Sequence, residues 1–325
     1  MTVKKLKIVC LDGCYLPVPR PDVVHEYTEY PNTKPSEVLS RAKNANIIIT
    51  TKVPLTAETI NACAPLGLEM IAMMAAGTEN VDKEACHKNH VLVTNVPSAS
   101  AESVAEHAIA LYLARKRRIV ELDAMTKRGD VWNIKGTMTH HFGGPPTGLR
   151  SDVMGIIGYG GLGKRIETLA RALGLSVLIA DRKGARPEET REGRTSFAET
   201  IQQSTVLVLA CPLNKDTRHT IGEQELRDMR KDAILINVAR GAVVDELALA
   251  IALEEHQIAG AATDVFGTEP ATMESSPLLQ RKPPNLTVSP HIAWYATTSI
   301  EYLQDTVKGN IEAWVAGKPR NIVVE

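Results

Sequence analysis

The sequence predicts a two-lobed α/β protein whose second lobe is doubly wound, and three observations carry that prediction. Short β-branched runs alternate with helix-like stretches along most of the chain, the pattern of parallel strands joined by crossover helices. The alternation comes as two series separated by a long helical stretch, and 325 residues is more than one hydrophobic core usually organises. A glycine-rich turn at 158–163 joins a strand-like run directly to a helix-like one.

Taken in order, the first series has strand-like runs "KIVCL" at 7–11, "NIIIT" at 46–50, "LEMIAMMA" at 68–75 and "VLVTN" at 91–95. Met70, Met73 and Met74 read as core fillers. From Ser98 to about Leu122, Val104, Ala108, Leu111 and Ile119 recur on one helical face, with Ser98 or Ser100 as the cap. "HHFGGPPTG" at 140–148 reads as a loop. The second series places strands at about 152–157, 175–181, 205–210, 233–238 and 258–264. A last helix is expected over about 297–316.

Composition narrows the function classes. Apolar residues at 44% and charged residues at 23% suit a globular protein rather than a disordered one. With 37 basic against 38 acidic residues there is no field of the kind nucleic-acid binding relies on, so no nucleic acid is expected. No apolar run approaches the ~20 residues of a membrane helix, and the short run in "MTVKKLKIVCLDG" is no signal peptide, so no membrane is expected. The five cysteines are odd in number and scattered, which points to a reducing, cytoplasmic setting. Cys86, His87 and His90 lack a further ligand pair, and no metal is expected.

The glycine turn has the spacing G-x-G-x-x-G. Gly158 makes the tight turn, Gly160 lets backbone approach a pyrophosphate, and Gly163 lets the helix pack closely on the strand. Free N–H groups at the helix start, including those of Gly161 and Leu162, face the phosphates. Asp181 closes the next strand, 23 residues after Gly158, where an acid accepts hydrogen bonds from the adenosine ribose and repels a 2′-phosphate. NAD(H) is therefore favoured. Arg182 and Lys183 keep NADP(H) as the alternative, since a neighbouring arginine is the usual way of accepting that phosphate.

Three later stretches carry reactive side chains at strand ends: "INVARGAVVDE" at 236–246, "AATDVFGTEP" at 261–270 and "VSPHIAW" at 288–294. Ligands of open parallel sheets bind outside those ends, so Arg240, Glu269 and His291 share a route to one crevice.

These stretches, together with "AAGTENVD" (75–82), "TNVPSASAESVAEHAIAL" (94–111) and "CPLNKDT" (211–217), resemble the D-isomer-specific 2-hydroxyacid dehydrogenases over nearly the whole chain. The resemblance implies a Rossmann-type dinucleotide domain, 101–291, inserted into a smaller flavodoxin-like substrate domain, 1–100 plus 292–325. It implies a catalytic trio of Arg240, Glu269 and His291, with backbone at Ala76 and Gly77 binding the substrate carboxylate. By the same resemblance Asp264 holds the nicotinamide carboxamide, while Cys211, Pro212 and Thr217, with Val238 and Ala239, line the cofactor site. Trp294 shapes the substrate pocket. A homodimer is implied through the long helix and the arm around Trp132.

The residue types suit reduction of a small 2-oxo acid to the D-2-hydroxy acid. His291 can protonate the carbonyl oxygen near neutrality. Glu269 would fix its tautomer and favour the imidazolium, and the Arg240 fork can reach both carboxylate and carbonyl oxygen. Glyoxylate or hydroxypyruvate is the expected substrate, with a D-lactate or bulkier D-2-hydroxyacid dehydrogenase as the alternative. The alternative of another class is a dinucleotide-sensing interaction protein like the C-terminal-binding-protein corepressors. Two departures from the family pattern stand out: Gly161 replaces a polar residue that could contact phosphate, and "GPPTGLRSD" (144–152) replaces the usual approach to the glycine turn.

Overall fold

The computed structural model describes residues 5–18, 20–129, 131–142 and 144–325. Residues 1–4, and Gly143 of the loop expected at 140–148, lie outside them. The described strands are numbered in chain order: β1 Leu6–Cys10, β2 His25–Glu29, β3 Ile47–Thr50, β4 Met70–Met73, β5 Leu92–Thr94, β6 Val153–Ile157, β7 Ser176–Ile179, β8 Val206–Leu209, β9 Ile234–Asn237, β10 Gly260–Thr263, β11 Leu286–Val288 and β12 Ile322–Val324. The chain divides into two compact units, Met1–Ser100 with Tyr295–Glu325, and Ala101–Trp294.

In the first unit the sheet order is β12-β5-β4-β3-β1-β2, parallel except for β12 against β5. The run β2-β1-β3-β4-β5 is the flavodoxin-like order. Every residue of β3 and β4 is buried, as required of strands covered on both faces by crossover helices. Leu11, Ile48, Ile60, Ile71 and Met73 form its core, and Met70 and Met74 are buried too. By contrast β2, "HEYTE", is an edge strand with no buried residue. Its polar composition hides it from a search for apolar runs, while β11 and β12 are only three residues long and have no fully buried residue.

The second unit has the order β11-β10-β9-β8-β6-β7, all parallel. Period-2 alternation sorts its side chains to two faces. Leu207, Leu209 and Leu235 pack one core, while Val206, Val208, Ile234 and Ile236 pack the other beneath the helix Ala101–Lys116. Strand order reverses between β6 and β8, which places a crevice at their carboxyl ends, where open sheets take ligands.

The long helix differs from expectation. It runs Ala101–Lys116, stops where Arg118 adopts a left-handed φ of 51°, and a second helix follows over Ile119–Arg128. Ile119 is therefore exposed rather than aligned with buried Ala108 and Leu111. Ser98 also has a left-handed φ, 56°, three residues before the helix begins. The loop expected from 140 opens with a 3-10 turn, Thr139–Phe142. The final helix spans Thr297–Val315.

All five cysteines are free, and only Cys14 is exposed. Burial pushes the thiols of Cys10 and Cys86 up to about 12 and that of Cys211 up to about 11, so almost none of these groups is thiolate at pH 8. Iodoacetamide on the native protein at pH 8 is expected to add one label rapidly, at Cys14, by intact mass and peptide mapping. Rapid labelling of Cys211 would contradict the burial.

Candidate active site

The reactive residues collect where three neighbouring strands end. Arg240, Glu269 and His291 follow β9, β10 and β11, which are adjacent and parallel, so their loops leave the same edge of the sheet. Asn237 shapes the first loop: its Nδ2 donates to the Arg240 carbonyl at 3.0 Å and its Oδ1 accepts from Ala239 N at 3.1 Å. The next residue must be glycine. A Cβ on Gly241 would lie 1.8 Å from the carbonyl carbon of Phe266, so only a bare backbone lets the loop after β9 lie against the loop after β10. Phe266 N then donates to Glu269 Oε1 at 3.0 Å, which aims the other carboxylate oxygen.

That oxygen, Oε2, meets His291 Nδ1 at 2.5 Å. Both side chains are about a quarter exposed, with 28% and 26% of their surfaces accessible. The contact fixes Nδ1–H toward the carboxylate and leaves Nε2 as the nitrogen available to a ligand. His291 has a left-handed φ of 52°, which its surroundings enforce. Its N–H donates to the Asp264 carbonyl at 2.7 Å. The Asp264 carboxylate accepts from Ser289 Oγ at 2.6 Å, Ile292 N at 3.0 Å and Ala293 N at 2.9 Å. His107, from the helix Ala101–Lys116, contacts Ser289 Oγ through Nε2 at 2.9 Å. Trp294 closes the loop by donating Nε1 to the His291 carbonyl at 2.9 Å. Asp264 is only 1% exposed, so much of its carboxylate capacity goes into gripping the histidine loop.

The glycine turn fits a dinucleotide. Gly158 has a φ of 96°, and a Cβ there would lie 2.5 Å from Cys211 N, so the ends of β6 and β8 close tightly beneath the crevice. A Cβ on Gly160, by contrast, meets nothing within 4 Å: backbone is open to a ligand where the helix Gly161–Ala172 starts. No side chain caps that helix, so the early N–H groups, from Gly161, Leu162 and Gly163 onward, remain for phosphate oxygens. Cys211, Val238 and Ala239 are buried beside the turn, and Pro212 is exposed. Thr217 Oγ1 donates to the Pro212 carbonyl at 2.7 Å, holding the 211–217 loop folded.

Asp181 follows β7 but is already engaged. Arg191 donates Nε at 2.9 Å and Nη2 at 2.5 Å to Oδ1 and its own backbone N–H at 2.8 Å to Oδ2, while Arg182 N donates to Oδ1 at 2.7 Å. The Arg191 side chain holds this carboxyl well below the usual carboxylate range. Arg182 is exposed, and Lys183 turns away to the Thr220 carbonyl and Glu225. Ala76 and Gly77 belong to the first unit, just past β4, where Asn95 Nδ2 donates to the Ala76 carbonyl at 2.7 Å. Sequence reading missed Asn237, Gly241, Ser289, His107 and Arg191 as site residues. The G after "NVAR" and the S before "PHIAW" were in view; no local pattern singled out His107 or Arg191.

Comparison with known proteins identifies the family of the chain. The family model described as D-isomer specific 2-hydroxyacid dehydrogenase, NAD binding domain, matches residues 109–293. A glycerate dehydrogenase of Methylorubrum extorquens is 39% identical over 300 residues, covering 92% of each chain. A glyoxylate reductase of Aeropyrum pernix is 35% identical over 289 residues, covering 88% of this chain and 85% of its own. Among solved structures, an acyclic imino acid reductase in complex with NADPH and D-Arg has a TM-score of 0.83 at 25% identity, covering 98% of this chain and 100% of that one.

Gly241→Ala is expected to lower the unfolding free energy by about 1–3 kcal/mol, because the new methyl overpacks a backbone contact. Urea denaturation measures this, and wild-type stability would mean the two loops do not touch.

Proposed function

The chain belongs to the D-isomer specific 2-hydroxyacid dehydrogenases, and from that premise we propose that it reduces glyoxylate or hydroxypyruvate to the D-2-hydroxy acid with NAD(H). One observation carries the reading: an imidazole with Nδ1 bound to a carboxylate and Nε2 free, on a loop neighbouring those of Glu269 and Arg240. Relatives that are glycerate dehydrogenases and glyoxylate reductases favour these substrates over D-lactate or bulkier acids, and an enzyme over a corepressor-like sensor.

When bound, the reduced nicotinamide supplies the hydride that the substrate's carbonyl carbon accepts. The chain's residues deal with the charge this creates. His291 Nε2 donates a proton to the carbonyl oxygen, and Glu269 steadies the ring through Nδ1 in both protonation states. Arg240 presents a planar set of donors for the carboxylate and the carbonyl oxygen. Asp264 acts first as the clamp that holds His291 at its unusual φ, and its carbonyl end of β10 is where a carboxamide would be received. Trp294, fastened to the His291 carbonyl, sets the wall of the substrate pocket. Five free thiols, four of them buried, support placing the enzyme in a reducing, cytoplasmic setting.

We propose that the protein is a homodimer, and the exposed apolar side chains of the second unit support this reading. Ile119, Val120, Trp132 and Ile134 are all more than half exposed, and Ile134 reaches 82%. Four large apolar side chains within 16 residues are the kind of patch that a second copy covers. No helix among the described residues is long and apolar enough to cross a membrane.

Asparagine tolerates a left-handed φ, so His291→Asn removes the acid with little backbone strain. Turnover with glyoxylate or hydroxypyruvate is expected to fall by ~10²–10⁴ while NADH binding persists. Unchanged turnover would remove His291 from the chemistry. In sedimentation velocity the wild type is expected to run as a dimer and the double variant Val120→Asp/Ile134→Asp as a monomer. A monomeric wild type would refute the interface.

A further inference from the structure

The acid at the ribose end of the fingerprint is not free to act as the sequence suggests. A carboxylate offers about four acceptor directions. Those of Asp181 are filled by the backbone N–H groups of Arg182 and Arg191 and by Nε and Nη2 of the Arg191 side chain. The Asp181 side chain is 3% exposed, whereas that of Arg191 is 53% exposed, so the guanidinium is what the solvent side of this corner presents. The arrangement is built into the fold rather than made by a loose loop. Thr195 forms a parallel bridge with Ala180, accepts from Asp181 N at 2.8 Å and donates to the Ile179 carbonyl at 2.9 Å, tying the end of the 182–194 loop to the end of β7.

Most basic residues around this corner are already engaged, which leaves Arg182 and the outer edge of Arg191 to meet an anion. Asp181 cancels one of the two arginines nearest it and leaves the other, Arg182, exposed beside it in sequence. Arg186 is tied to Glu188 and Glu189, Lys183 to Glu225, and Arg194 lies over the Tyr159 ring at 4.4 Å, inside the glycine turn. Glu192 is the one exposed acid next to Arg191 along the chain. Nη1 of Arg191 is not used by Asp181, and a planar guanidinium with donors to spare is the side chain best matched to a phosphate.

We propose that Arg191 is a cofactor-selecting residue: by occupying Asp181 it turns the acid that would reject a 2′-phosphate into the anchor of a guanidinium that receives one, so the enzyme binds NADPH as well as NADH. The proposal rests on the dinucleotide site assigned above. NADH lacks the 2′-phosphate and gains nothing from a second positive charge at this corner. The 2′-phosphate of NADPH exchanges solvent for Arg191 and Arg182.

Binding is measured directly, by calorimetry and by nucleotide fluorescence, with NADH, NADPH, 5′-AMP and adenosine 2′,5′-bisphosphate as probes. The wild type is expected to bind NADH and NADPH within about tenfold of each other, and the bisphosphate more tightly than 5′-AMP. Arg191→Gln removes charge-assisted hydrogen bonds and is expected to weaken NADPH and the bisphosphate by ~10–100-fold while leaving NADH unchanged or tighter. Arg191→Lys keeps a cation over Asp181 and is expected to restore most of the NADPH affinity, which a purely structural role for the guanidinium would not do. A wild type that binds NADH but excludes NADPH, or an Arg191→Gln variant with an unchanged NADPH-to-NADH ratio, overturns the proposal. Binding of neither dinucleotide overturns the site assignment itself.

Discussion

One buried carboxylate holds the reactive histidine in place. Asp264, at the end of β10, receives a serine hydroxyl and two backbone N–H groups from the 289–293 segment, while its own carbonyl receives the His291 N–H. Burial without these partners would cost several kcal/mol, so the carboxylate and the segment order each other. The result is a histidine locked at positive φ with its ring against Glu269. In the proposed role as acid, a histidine held this way needs no reorganisation, which is where most of the benefit of a preorganised site lies.

The same economy appears in the neighbouring loop. Parallel strands β9, β10 and β11 deliver arginine, glutamate and histidine to one edge, but delivery alone would leave the loops a side chain's width apart. Gly241 removes that width, and Asn237 fixes the turn from below. On the far side of the sheet reversal, Gly158 brings the ends of β6 and β8 together, leaving an uncapped helix start open above them. The proposed catalytic side chains and the glycine turn thus leave the carboxyl ends of strands of one sheet in the second unit.

Much of this was legible in the sequence because it is local. The buried strands β3, β4, β8 and β9 are unbroken apolar runs, and the glycine turn has a fixed spacing with a known physical reason. The trio could be placed at strand ends because each residue lies only a few positions past an apolar run. What escaped notice was non-local or polar. The edge strand β2 carries histidine, tyrosine and glutamate rather than a core stripe, and the break at Arg118 sits inside a continuous helical periodicity. The partner of Asp181 lies ten residues on, among five basic residues with no repeat to single one out. The grip of Asp264 on a segment some 25 to 29 residues away is likewise a product of folding.

The account stands on which ring nitrogen of His291 faces Glu269. Nitrogen-15 NMR of the histidine rings, with His291 assigned by substitution, reads this directly. The structure predicts that Nδ1 stays protonated when the ring is neutral, that its signal moves in Glu269→Gln, and that Nε2 is the nitrogen that gains and loses the proton. A neutral ring with the proton on Nε2 and a bare Nδ1, indifferent to Glu269, would contradict it.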